Sequence, residues 1–173
     1  MNTKPLLFRF RAVMLFFIFG LVVSGVTAFP LLDELNLLCN MLGVGSAPGP
    51  EGHAGLEFWL LTVRQGLANT YAAYPWMAYG TDWLAFAHLM IAVFFVGPLI
   101  HPLSGRSTIY AGIFACGAVI PLAMICGTLR GIPFYWRLID CSFGIFGVMP
   151  LLYCLRLITR IEVAQAEGVR PAP

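Results

Sequence analysis

Four stretches of this chain, residues 12–32, 83–100, 109–129 and 138–158, each come close to the roughly 20 apolar residues that a helix needs to cross a bilayer. A backbone placed in lipid has to satisfy its own amides, so all four are expected to be helical. The fourth is the least clean, because its charge-free part runs only from Cys141 to Leu155 and is flanked by Arg137 and Arg156. Composition agrees with this reading. Hydrophobic residues make up 60% of the chain and charged ones 10%, against about 25% charged in soluble domains. The expected fold class is all-α, an integral membrane four-helix bundle forming a single membrane domain over 1–173. A formal charge of +2 is too small to point to nucleic acid, so charge placement carries the information.

Placing the N-terminus in the cytoplasm puts Lys4, Arg9, Arg11, Arg106, Arg156, Arg160 and Arg170 inside, and only Arg64, Arg130 and Arg137 outside. That is the positive-inside pattern, so a multi-pass protein with both termini cytoplasmic is expected. The start of the chain, ending "VTA" at Ala28, also has the form of a secretory signal. The apolar run continues through Phe29, Leu31 and Leu32, which favours an uncleaved first helix.

An outer loop, 33–81, separates spans one and two, and a cytoplasmic tail, 159–173, follows the last. Within the loop, "GVGSAPGPEGHAG" (43–55) is rich in turn formers. It parts "LLDELNLLCNML" from "LEFWLLTVRQGLANTYAAY", and both carry apolar residues at helical spacing, with Leu56, Leu60, Val63 and Leu67 sharing one face of the second. Two short amphipathic helices lying on or capping the outer face are expected, with surface packing as their plain role and a ligand lid as the sharper one. Pro98, Pro121 and Pro150 fall one per span in the last three spans, and Gly144 and Gly147 follow Cys141 at three-residue steps. Close helix packing accounts for them, and a proline-gated transport path is the alternative.

Polar groups gather in "YPWMAYGTDWLAFAH" (74–88) and around "RGIPFYWR" (130–137). Asp82 begins the second span from outside, Arg130 ends the third, and Arg137 and Asp140 begin the fourth. Tyr79, Trp83, Tyr135 and Trp136 occupy the same level, as an aromatic belt does. His88 lies six residues past Asp82, about 9 Å deeper, and ionisable groups at such depth usually face a bundle interior or a wet cavity. The candidate ligand-binding residues are therefore His88, Asp82, Tyr79, Arg130, Arg137 and Asp140, forming an outward pocket with His88 at its floor. A salt-bridge collar, with Asp140 to Arg130 the favoured pair and His88 bonded to a neighbouring helix, is the structural counterpart.

Specific chemistries find less support. A haem needs two axial ligands at matching depth, and His101 sits thirteen residues after His88 while His53 is in the loop. The five cysteines contain no C-x-x-C pair, and a bridge between Cys126 and Cys141 is the single disulfide worth weighing. Walker, nucleophile-elbow and zinc-helix motifs are absent. No catalytic residue, metal ligand or cofactor is nominated.

"YPWMAYGTDWLAFAH" together with "RGIPFYWRLIDCSFGIFGVMPL" resembles an uncharacterised group of small four-span bacterial inner-membrane proteins with no assigned activity. The resemblance covers most of the chain from "SGVTAFPL" onward and implies a bacterial cytoplasmic (inner) membrane location. The chain departs from that group at "GPLIHPLSGRST", where more charge is expected. Two functions are weighed. The first is a non-enzymatic accessory subunit, or a binder of a small polar or amphiphilic ligand at the outer face, with the lipid bilayer and a membrane-protein partner or second copy as partners. The alternative is a redox or transport component, quinone, haem or proton-coupled, using His88 and Asp82.

Overall fold

Prolines set where the helices stop. The structure, a computed structural model, describes residues 3–169, and Arg170, counted above among the inner cations, lies outside them. Its first helix, α1 (Lys4–Ala28), carries Pro5 in the opening turn, where a missing N–H costs nothing. The apolar run expected to continue to Leu32 is cut at Pro30, because a residue before proline is pushed out of the helical region. Pro30 then offers its carbonyl to Glu34 N at 2.9 Å and opens α2 (Leu31–Met41). The next helices are α3 (Gly55–Ala73) and, after a short 3-10 turn over Pro75–Met77, α4 (Ala78–Phe94). Pro98 lacks the donor that would reach Phe94, and its ring crowds that carbonyl, so α4 ends there and α5 (Val96–Ile100) continues the apolar segment. Last come α6 (Arg106–Leu129) and α7 (Phe134–Val169).

All secondary structure among the described residues is helical, and four helical segments are long and apolar enough to cross a membrane: Lys4–Ala28, Pro75–Ile100, Arg106–Leu129 and Phe134–Ala166. The last of these is also the longest helix. At 36 residues, α7 runs well past 158, through the segment expected to be a tail.

The chain divides into two compact units, Val22–Met90 on one hand and Met1–Leu21 with Ile91–Pro173 on the other, the boundaries falling inside α1 and α4. In the second of these, α6 and α7 form an antiparallel pair joined by a tight turn. Gly131, at φ +69°, ends α6: its N–H reaches Thr128 O at 3.2 Å and that of Ile132 reaches Gly127 O at 2.9 Å, the two bonds of a Schellman cap. Pro133 then starts α7, its carbonyl accepting from Trp136 and Arg137. Positions 140, 144, 147, 151, 154, 158 and 161 of α7 recur at alternating steps of four and three, the spacing of a helix-packing seam. Gly144 is needed on it, since a Cβ there would stand 2.3 Å from the Cys116 carbonyl oxygen of α6. Phe10 and Met14 of α1 join Phe95, Ile109, Leu151, Cys154, Leu157 and Ile158 in one buried core, with Phe17 packing edge-on to Phe95 at 4.8 Å.

In unit Val22–Met90, α2 buries Leu35 and Cys39, and α3 buries Leu60 together with Leu61, which lies off the expected stripe. Leu56, on that stripe, is 43% exposed. A second Schellman cap at Gly43 (φ +78°) leads into the 43–55 loop. Arg64 organises that loop, donating to Gly45 O at 2.9 Å and also to Ala47 O.

Candidate functional site

The six residues nominated from sequence are divided between the units. Tyr79, Asp82 and His88 stand on α4 within Val22–Met90, and Arg130, Arg137 and Asp140 stand around the α6–α7 turn.

On α4 the aromatic groups form a ladder. Tyr79 meets Trp83 edge-on at 5.9 Å and Trp83 meets Phe86 at 5.9 Å, the i, i+4 and i+3 steps of one helix face, and all three are exposed. Asp82 and His88 are six residues apart, which turns them about 120° from one another around the helix, so α4 does not aim them at one point. Ala85, fully buried, lies between them. Among the described residues His88 makes no hydrogen bond to a neighbouring helix, where the collar reading expects one. Its Nδ1 donates to Leu84 O of its own helix at 2.9 Å, leaving Nε2 as the nitrogen open to other chemistry.

Around the α6–α7 turn the favoured charge pair does not form. Among the described residues, Asp140 makes no ion pair with Arg130 or Arg137. Arg137 is occupied otherwise: it donates through Nη1 to Thr128 Oγ1, whose own hydroxyl donates to Met124 O at 2.6 Å, and its guanidinium carbon sits 5.3 Å from the centre of the Phe134 ring. Two physical reasons favour this. Helical side chains lean toward their own N-terminus, which carries Arg137 away from Asp140, and the end of α6 that it approaches is the negative pole of a helix dipole. Its stem lies across Gly127, where a Cβ would stand 2.5 Å from Arg137 Cδ.

Asp140 instead sits half-buried on the α7 seam, and it lines a groove with Val119, Leu122, Ala123, Cys126, Gly127, Arg130 and Ile132, about 240 Å³ in volume. The Schellman turn builds one end of this groove by folding Ile132 back over α6. Its wall is apolar apart from one carboxylate and one guanidinium. Cys126 and Cys141, the pair weighed as a disulfide, are both free thiols.

Two interactions were missed from sequence. Arg64, the one cation in a run of five acids, binds carbonyls rather than carboxylates, and its isolation was the available signal. Arg106 binds both carboxylate oxygens of Glu162 at 3.2 Å and Thr159 Oγ1 at 2.8 Å. Counting equal steps back from the α6–α7 turn places Arg106 opposite Ile158, beside Thr159, so the helical-hairpin register held that signal. No group of three or more His, Cys, Asp or Glu side chains able to hold a metal ion occurs among the described residues. No family profile, curated protein or solved structure matches this chain.

Proposed function

We propose that this chain is a multi-pass protein of the bacterial cytoplasmic membrane, with both termini cytoplasmic, that acts as a non-enzymatic binder of a small amphiphilic ligand at its outer face. It belongs, on this reading, with the four-span proteins its motifs resemble, and α2 and α3 are amphipathic elements lying on the outer face. The observation that carries the ligand reading is the α6–α7 groove, where Arg130 and Asp140 stand in an otherwise apolar wall without an ion pair between them. Asp140 is half-buried there and a carboxylate so placed gains from a partner, while the exposed Arg130 at the groove's edge is free to engage an anionic group. A ligand with an ammonium and a phosphate or carboxylate close together on an apolar tail supplies both.

The test is calorimetric titration of delipidated protein, in neutral detergent, with lysophosphatidylethanolamine, an alkyl phosphate and an alkylamine of matched chain length. The zwitterion should bind tightest, and Asp140→Asn and Arg130→Gln should each weaken it about tenfold, as expected for one charge-assisted hydrogen bond. Identical binding by wild type and both variants would sink the reading. A Soret band or co-purified quinone would instead favour a redox or transport role through His88 and Asp82.

A further inference from the structure

The far end of the same helical pair carries a different chemistry. Around α7, at about 100° per residue, the buried Cys154, Leu157, Ile158 and Ile161 centre roughly 150° from Arg156. Arg160 lies only about 40° from Arg156, and Tyr153, Leu152 and Met149 are within about 60° of it. All five side chains of this outward strip are exposed. Three residues of graded polarity, Met149, Leu152 and Tyr153, thus lead directly into two arginines one turn apart.

Glu162 is taken by Arg106, and neither Arg156 nor Arg160 forms an ion pair among the described residues. The opening turns of α1 reach the same end, since Phe10 is buried in one core with Leu157 and Ile158, and Arg9 and Arg11 on either side of Phe10 are exposed. Arg106 and Arg130 are 24 residues apart on and just beyond α6, about 36 Å at the helical rise, so this patch is separate from the ligand groove.

We propose that this end is a binding surface for the phosphate of anionic lipids, with Arg156 and Arg160 as the principal contacts. Guanidinium groups engage phosphate oxygens in bidentate fashion. The apolar strip decides the occupant: Met149 and Leu152 lie where the acyl chains of a lipid held by Arg156 would run, and Tyr153 sits at the boundary between them, as tyrosine does at membrane interfaces. A soluble polyanion would leave that strip unused.

The full chain, purified in neutral detergent, is titrated with phosphatidylglycerol or phosphatidylcholine of equal chain length, reading thermal stability and lipid adducts by native mass spectrometry. Phosphatidylglycerol should bind more tightly and raise Tm more, and the difference should shrink in high salt. Arg156→Gln with Arg160→Gln should weaken phosphatidylglycerol binding on the order of 25-fold, at roughly fivefold per arginine. Arg156→Lys with Arg160→Lys should recover only part of it, since an ammonium keeps the charge but not the two-point geometry of a guanidinium. An equal response to both lipids overturns the proposal, and that comparison on the wild type stands even if the double glutamine variant does not fold. So does an unweakened double glutamine variant, or inorganic phosphate alone reproducing the whole effect.

Discussion

Residues 1–21 with 91–173 carry nine Lys or Arg side chains and three acids, a formal charge of +6, whereas residues 22–90 carry one arginine and five acids, a formal −4. The net +2 of the whole chain conceals that division. The two units are also held together differently. The basic one closes on a buried apolar core fed by three long helices, with Gly144 allowing the α6 and α7 backbones to touch. The acidic one relies on short helices and on Arg64 fastening a loop by its carbonyls. Charge sign and cohesion therefore change at the same boundary, which ties the sequence's charge pattern to how each part is built.

The comparison can be broken most decisively at its topological consequence. If the acidic unit's loop faces outward and the chain ends inside, Ser46→Cys in a Cys126→Ala background should react fully with an impermeant maleimide in intact cells, and a reporter after Pro173 should register the cytoplasm. Ser46 is exposed, whereas Cys39 is fully buried and unsuited to labelling. Reversed labelling would undo the proposed orientation. Next in size, Gly144→Leu should cost ~3 kcal/mol or prevent recovery of folded protein, because the new side chain meets backbone rather than a movable group. Thermal unfolding checks it, and a wild-type Tm would refute the close approach.

Arg64→Gln should cost ~1–2 kcal/mol, felt locally. Hydrogen exchange should accelerate over 43–55 while the α6–α7 pair keeps its protection; a uniform change would mean that the units do not differ in cohesion as described. Glu162→Gln should be smaller, about 0.5 kcal/mol, since both partners of the Arg106 pair are more than a third exposed. Smallest of all, His88→Leu should shift stability by less than ~0.6 kcal/mol, the mean for a hydrogen bond between membrane helices, because its bond is to its own helix. A large loss there would assign His88 an unrecognised partner.

Long apolar runs announced the four helices because length and charge depletion are properties of contiguous residues. The breaks were less legible: Pro30 and Pro98 each end a helix inside a run that composition alone reads as continuous. At the candidate site, sequence brought Arg130, Arg137 and Asp140 to one turn correctly, since the turn between α6 and α7 is so short. Their pairing was not legible, because it depends on side-chain lean and on Thr128, a residue that no charge pattern highlights. For His88, the six-residue offset from Asp82 fixes a rotation of about 120° as surely as a depth of about 9 Å, so both were legible in the sequence.

The buried core that unites Phe10 with Leu157 and Ile158 also imposes an order of assembly. The hairpin of α6 and α7 can zip from its turn through contacts close in sequence, whereas Phe10 must wait for partners nearly 150 residues downstream. During synthesis the first helix can meet Phe95 and Ile109 midway, yet its core stays incomplete until almost the whole chain has emerged, open through that interval to chaperones, proteases and insertion factors.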